Sequence, residues 1–133
     1  MSEHDLDVLR RWVDHWNERD LDAFMECFDA DAELITDPSW IEAGPFTGRA
    51  AIRKWMEGLA EPWNGGDKLV LQELFEVGDA VVLRFHWEVG GGMSGLAMTL
   101  DATAVNVMKD GRIARQQYFF DPAEARKAVG LEE

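Results

Sequence analysis

The 133-residue sequence has one cysteine, four prolines and one tyrosine, and it contains no long apolar run. Because Cys27 has no second cysteine to pair with, an internal disulfide is excluded and we expect a buried structural thiol. No window is long and apolar enough to span a membrane, and the amino-terminal sequence MSEHDLDVLR lacks the basic start and apolar stretch of a signal peptide. We therefore expect a protein of the reducing cytoplasm.

Positive charge is scarce as well. Thirteen basic residues stand against twenty-six acidic ones, which gives a net charge of −13. Such a charge repels phosphate backbones and anionic membranes alike, so we expect neither as a partner. What the chain does have is apolar residues, 47% of the total, including six tryptophans and seven phenylalanines. That composition predicts a single globular domain over residues 1–133 with one hydrophobic core.

Helices are predicted at four places. Apolar residues at three- and four-residue steps indicate an amphipathic helix over 5–18. Asp20 is placed to cap a short second helix, and Thr47 to cap a third that carries apolar residues on one face. The sequence Asp121-Pro-Ala-Glu predicts a last helix with a capping acid and with proline at its first position.

Strands are predicted from alternating apolar and polar residues. Residues 29–31 read as a turn, and 32–36 as a short strand that ends before Pro38, because proline biases the preceding residue toward extended geometry. Four further strands, separated by glycine-containing turns, cover 68–76, 80–89, 96–108 and 112–120. Consecutive strands joined by short turns make an antiparallel sheet, so helices followed by such a sheet indicate an α+β fold.

The order of these segments resembles that of the NTF2-like superfamily. The residues that carry the resemblance are WNERDLDAF, the DADAEL strand, the following DP, the segment PFTGRAAIRKW, and later KDGRI and YFFDP. This superfamily includes SnoaL-like polyketide cyclases, ketosteroid isomerases, limonene epoxide hydrolases and non-catalytic carriers and adaptors. The resemblance implies an NTF2-like cone, in which three N-terminal helices pack on a curved, mostly antiparallel sheet, and a homodimer formed through that sheet. One fold of this kind hosts many functions.

Asp37 is the first candidate for chemistry. It follows a strand and has Ile35, Trp40 and Phe46 near it in the sequence. If the loop folds inward, burial would disfavour the charged carboxylate and raise its pKa, which suits a base at neutral pH. The resemblance implies the same role, because ketosteroid isomerases have an Asp-Pro general base at this place. A turn-forming Asp-Pro is the structural alternative.

The other catalytic groups of these relatives are not matched. Ketosteroid isomerases use a tyrosine on the first helix and a protonated aspartate on a later strand. This sequence has Trp12 at the first place and Thr103 or a neighbouring apolar residue at the second. Epoxide hydrolases need an arginine two residues before an aspartate, and Thr99 stands there before Asp101. We therefore expect neither steroid isomerisation nor epoxide hydrolysis.

Three more residues are candidates for a proton donor or an orienting group. If the strand face that carries Asp101 and Thr103 lines the cavity, Asp101 meets Asp37 there, and two nearby carboxylates divide into acid and base. Its alternative is a solvent-facing strand acid. Asp121 resembles an acid that SnoaL-like cyclases place late in the final strand, and its alternative is a helix cap. Tyr118 can orient a ligand carbonyl, or it can pack with its hydroxyl satisfied.

The strand around residue 85 alternates apolar and polar side chains. Phe85 and Trp87 belong to the apolar set, which is the natural inner face, so Arg84, His86 and Glu88 are expected outside. A metal site built on the last two lacks a third ligand, so we expect no metal ion, and nothing indicates a cofactor.

These observations predict a small lipophilic ligand in an apolar pocket. The leading hypothesis is cofactor-independent acid–base chemistry of cyclase or isomerase type, with Asp37 as base and Asp101, Tyr118 or Asp121 as donor. The alternatives are a ligand-binding protein without chemistry, and an interaction module that uses the outer sheet face. The predicted pocket residues are Trp12, Trp16, Trp40, Phe46, Trp55, Met56, Phe85, Trp87, Thr103 and Phe120.

Overall fold

The computed structural model describes residues 2–37, 45–61, 66–91 and 96–130. Four helices and six strands are described in it. In chain order they are α1 (Ser2–Asn17), α2 (Leu21–Glu26), β1 (Phe28–Ile35), β2 (Phe46–Thr47), α3 (Arg49–Ala60), β3 (Lys68–Val77), β4 (Ala80–Gly91), β5 (Leu96–Lys109), β6 (Arg112–Phe119) and α4 (Pro122–Ala128).

The six strands form one mixed sheet in the order β2-β1-β6-β5-β4-β3. All neighbours are antiparallel except β1 and β6, which run parallel. The sheet is open, with β2 and β3 at its two edges. Register shifts in the β3–β4 and β5–β6 ladders add residues to one strand of each pair, and such bulges bend and twist a sheet. The α+β class is confirmed, as are the four predicted strands after residue 67.

The sequence-based boundaries fail in the segment between α2 and α3. The predicted turn at 29–31 is part of β1, where the register against β6 shifts between Phe28 and Glu33. The aspartates that suggested a turn therefore lie in a bulged stretch of strand. Thr47 does not cap α3, because it pairs with Glu33 in β2, and the cap position is Gly48 with a φ of 88°. Glycine adopts that backbone conformation without strain. The two short strands thus separate α3 from the first two helices.

Two aspartates cap helices as predicted. The side chain of Asp20 accepts a hydrogen bond from the backbone N–H of Ala23 at 3.1 Å, and that of Asp121 accepts one from Ala123 at 2.9 Å. Pro122 occupies the first position of α4, where its missing N–H costs nothing. None of the helices in the described ranges is long and apolar enough to cross a membrane.

The core lies between α1, α2 and α3 and one face of the sheet, called the inner face below. This face carries Phe85 and Trp87 of β4, whereas Arg84 and His86 lie on the opposite, outer face. Buried side chains fill the core, and Trp12, Phe24 and Phe28 are among the largest of them. The Trp12 and Phe24 rings lie 5.1 Å apart. α4 contacts β5 and β6.

Cys27 belongs to this core, and burial raises its pKa to about 11. A raised pKa lowers the fraction of thiolate, which is the reactive form, at any pH below that value. We therefore expect a thiol reagent at mildly alkaline pH to label Cys27 slowly in the native protein and rapidly in urea. Rapid, stoichiometric labelling of the native protein would contradict the burial.

Candidate functional site

A cavity lies between the helices and the inner face of the sheet. The space in it that is open to the centres of water molecules is about 70 Å³. Aromatic and aliphatic side chains from α1, α3, β4, β5 and β6 make up most of its wall. Seven of the predicted pocket residues line it, namely Trp12, Trp16, Trp55, Met56, Phe85, Trp87 and Phe120.

Asp37 is the carboxylic acid among the described residues that line this cavity. It lies just beyond the end of β1, and its Oδ2 accepts a hydrogen bond from the backbone N–H of Phe120 at 2.9 Å. Because β1 and β6 are parallel neighbours, the ends of both strands meet here. The contact therefore fixes the carboxylate at the edge of an apolar space.

Tyr118 lines the same cavity from β6. Its ring lies 6.0 Å from that of Trp55 and 6.4 Å from that of Phe85. The hydroxyl is 2.6 Å from Oε1 of Gln116 and donates to it. Burial raises the pKa of Tyr118 well above its ordinary value, so the phenol stays neutral. The hydroxyl hydrogen is already bound, which corresponds to the alternative that Tyr118 packs with its hydroxyl satisfied.

Asp101 does not face the cavity. Its neighbours Leu100 and Ala102 line the wall, so alternation along β5 directs Asp101 to the outer face. There Oδ2 lies 2.9 Å from Nη2 of Arg84, and Oδ1 lies 3.8 Å from Nε2 of His86. The Arg84 guanidinium holds the pKa of Asp101 below its ordinary value. The expected acid–base pair across the cavity is therefore wrong.

Three further predicted residues, which the structure describes, lie outside the cavity wall. Thr103 is buried on the outer face, where it pairs in register with Arg84. Asp121 is the exposed cap of α4 and has no place in the cavity. Phe46 stacks on Trp55 with ring centroids 5.5 Å apart, so it supports the wall without lining it. Trp40 lies outside the described residues.

Among the described residues, the most buried ionic contact centres on Asp67, which lies just before β3. Its Oδ2 accepts hydrogen bonds from the indole N–H groups of Trp16 at 2.8 Å and Trp87 at 2.7 Å. Its Oδ1 lies 2.7 Å from Nη1 of Arg19, whose Nη2 also donates to the backbone carbonyl of Asp67. These four residues are called the Asp67 cluster below. Two of its members, Trp16 and Trp87, are walls of the cavity.

The chain follows an unusual backbone to reach this contact. Arg19, just after α1, has a φ of 62°, a left-handed backbone conformation that residues other than glycine rarely adopt. Next to it, the amide of Asn17 both donates to the backbone carbonyl and accepts from the backbone N–H of Leu69, each at 2.8 Å. The end of α1 is therefore attached to the start of β3 at two adjacent points.

Two indole donors belong to residues of the cavity wall. The indole N–H groups of Trp12 and Trp55 are buried and have no hydrogen-bond partner within the described ranges. The same part of the chain contains no group of three or more His, Cys, Asp or Glu side chains that could hold a metal ion.

An open α+β sheet with helices on one face and an apolar cavity between them defines the NTF2-like class. The sequence profile of the SnoaL-like domain matches residues 9–116. The chain belongs to the SnoaL-like domain family.

Solved structures show the same fold. Bal32a, from a soil-derived mobile gene cassette, is 23% identical over 96% of each chain with a TM-score of 0.79. TerC, co-crystallised with polyporic acid, is 22% identical over 96% of this chain and 98% of its own, with a TM-score of 0.75. A candidate polyketide cyclase from Sinorhizobium meliloti is 25% identical over 85% and 94%, with a TM-score of 0.67. No curated protein matches the sequence.

Asp67→Asn should destabilise the protein by about 2–3 kcal/mol, the range expected for losing hydrogen bonds to a buried charge. In asparagine, one amide oxygen replaces the two carboxylate oxygens. If that oxygen faces the indoles, an N–H₂ group faces Arg19, and if it faces Arg19, it carries no charge. Urea unfolding measures the change, and tryptophan fluorescence reports the altered setting of Trp16 and Trp87.

Asp22→Asn is the matched control, because Asp22 also pairs with an arginine, Arg53, at 2.7 Å, but on the exposed surface. Exposed pairs contribute little, so the control should unfold like the wild type. Equal stability of the two variants would show that the Asp67 cluster does not hold α1 on the sheet.

Proposed function

We propose that the protein binds a small lipophilic molecule in the cavity and that Asp37 acts on it as a base, in cofactor-independent chemistry of cyclase or isomerase type. The observation that carries this proposal is the position of Asp37. It is a carboxylate on the wall of a cavity whose other described lining residues are almost all apolar. Such a pocket binds the apolar body of a ligand and leaves a few polar groups to orient it.

The surroundings of Asp37 suit a base. The Phe120 N–H donates to one carboxylate oxygen, which holds the group in a fixed position. A base must reach the proton that it takes, and a position on the cavity wall meets that requirement for a ligand in the cavity. Within the described residues, the indole N–H groups of Trp12 and Trp55 have no acceptor, so they are candidates to bind an oxygen of the ligand.

Among the described residues, Asp37 is the one acid on the cavity wall, and this limits the type of reaction. Asp101 is on the outer face and Asp121 caps α4, so neither can return a proton to a ligand in the cavity. In this proposal Asp37 takes the proton from one atom of the ligand and delivers it to another. Transfer by a single carboxylate changes no oxidation state overall and needs no cofactor.

The comparisons support a small-molecule ligand. The chain belongs to a family named for SnoaL, and the structurally similar S. meliloti protein is a candidate polyketide cyclase. TerC, which has the same fold, was co-crystallised with polyporic acid. The oxyanion donors of ketosteroid isomerases are not matched, since Thr103 lies on the outer face, so steroid isomerisation is not part of this proposal.

Exchange of α-protons tests the base without knowledge of the natural substrate. We expect the protein to accelerate deuterium exchange at the α-carbon of an apolar ketone such as 2-indanone, followed by NMR in heavy water. Asp37→Asn should reduce this acceleration by about 100-fold or more, the usual contribution of a general base, while unfolding in urea changes little.

Asp31→Asn is the control, because Asp31 is an exposed acid of β1, the strand that precedes Asp37. This variant should accelerate the exchange as much as the wild type does. Exchange that survives in Asp37→Asn would remove Asp37 from the mechanism. Binding of the ketone without any accelerated exchange would favour the second candidate, a ligand-binding protein without chemistry, for which the apolar cavity alone is sufficient.

We further propose that two copies of the chain associate through the outer face. Phe75, Val82 and Val105 are neighbours across β3, β4 and β5 on this face, and Phe75 is 36% exposed. In the next row, Arg84 lies 3.6 Å from Glu73, so both charges are present. An interface related by a twofold axis brings a patch onto itself, and a patch with an apolar row and charges of both signs suits that arrangement.

Phe75→Lys should convert a dimer into a monomer, because it places a charge in the apolar row. Sedimentation velocity at micromolar concentration measures the state. Leu71→Lys is the control: Leu71 is equally exposed at 38% but pairs with Phe85, and so belongs to the inner side of β3. A monomeric wild type would contradict the proposal.

A further inference from the structure

We propose that the cavity selects ligands with a hydroxyl group, because the phenolic oxygen of Tyr118 is set to accept a hydrogen bond and not to donate one. The proposal rests on the proposed function only in taking this cavity as the ligand site. It concerns binding, and it does not require that any reaction follows.

The direction of the hydrogen bonds is set at Asn106, a fully buried residue of β5. Its Nδ2 lies 3.0 Å from the carbonyl oxygen of Val81 and 3.2 Å from that of Ala104. Carbonyl oxygens only accept hydrogen bonds, so the amide nitrogen, with its two hydrogens, must be the atom that faces them. The amide oxygen of Asn106 is then directed away from the two carbonyls and toward β6.

Gln116 of β6 continues the chain. It is also fully buried, and its Nε2 lies 2.8 Å from Oδ1 of Asn106. Because that oxygen can only accept, the Gln116 atom facing it must be the nitrogen. The other end of the amide, Oε1, therefore faces Tyr118 at 2.6 Å. An oxygen without hydrogens leaves one choice, which is that the Tyr118 hydroxyl donates.

The hydroxyl has a single hydrogen, and Gln116 binds it. What remains on the phenolic oxygen is its lone pairs, which can only accept. A ligand carbonyl placed against this oxygen would set two acceptors against each other. Turning the hydroxyl toward the carbonyl would leave Oε1 of Gln116 buried without a donor, and a buried unsatisfied acceptor is costly. A ligand hydroxyl avoids both penalties.

The neighbouring groups are consistent with a site that accepts a hydrogen bond from the ligand. Asp37, which lines the same cavity, has a carboxylate that only accepts when it is ionised. Burial raises the pKa of Tyr118, so the hydrogen stays on its oxygen. The indole N–H groups of Trp12 and Trp55 can serve the oxygen of an alcohol, an ether or an aldehyde alike. They therefore do not separate these classes, whereas Tyr118 does. The preferred ligand is an aromatic or alicyclic alcohol, phenol or enol.

A matched set of single-ring probes tests the preference by calorimetry. p-Cresol carries a hydroxyl, 4-methylanisole carries the same oxygen without its hydrogen, and p-tolualdehyde carries a carbonyl of similar bulk. We expect p-cresol to bind roughly three- to tenfold more tightly than the other two, the range for one net hydrogen bond. Tyr118→Phe keeps the ring and removes the acceptor, so it should abolish this advantage.

Gln116→Met makes the opposite change, because it removes the acceptor that holds the Tyr118 hydrogen. The released hydroxyl can then donate to a carbonyl, so p-tolualdehyde should gain relative to p-cresol. Circular dichroism checks that this variant is folded, and Tyr118→Phe decides alone if it is not. Equal affinities of the wild type for all three probes, or an advantage of p-cresol that survives in Tyr118→Phe, would overturn the preference while leaving the cavity as the ligand site. No binding of any probe would overturn both.

Discussion

The geometry of the site depends on the hydrogen bonds and the ion pair that the buried carboxylate of Asp67 makes. Removing an ionised group from water is costly unless it is paired and hydrogen-bonded. Here the guanidinium of Arg19 and the indoles of Trp16 and Trp87 supply the partners. The indoles come from α1 and from β4, so satisfying one charge fixes a helix against the sheet. The two rings that bind Asp67 are also part of the cavity wall, which joins the stability of the fold to the shape of the site.

The two faces of the sheet divide the chemistry of the chain. On the inner face, large aromatic rings leave a space that Asp37 and Tyr118 also line. On the outer face, Asp101 pairs with Arg84, which lowers the pKa of Asp101 and favours its ionised form. Strand alternation separates the sets, since adjacent residues of β5 point to opposite sides. The carboxylate of Asp37 thus lies on the wall of the cavity, and that of Asp101 lies on the opposite face of the sheet.

Much of the fold could be predicted from local patterns. The caps at Asp20 and Asp121 and the long strands β3 to β6 depend on residues close together in the sequence, so their signals were readable. Asp67 could not be found in this way, because its partners lie 20 to 51 residues away and nothing beside it marks it as buried. For Asp101, alternation defined two sets of residues but not which set faces the helices.

Polarity within the site depends on the three-dimensional network. The sequence identified Tyr118 as a pocket residue but did not reveal which way its hydroxyl points, since that follows from Asn106 and Gln116 packed behind it. Amide side chains buried beneath a cavity can thus set what the cavity accepts without touching the ligand.

A crystal structure of the protein soaked with p-cresol tests the central claim most directly. The account predicts density for the ring between α1, α3 and the inner face of the sheet, with its hydroxyl oxygen about 2.7 Å from the phenolic oxygen of Tyr118. A cavity closed by its own side chains, or p-cresol bound only on the outer face, would contradict the claim that this tryptophan-walled space is the functional site.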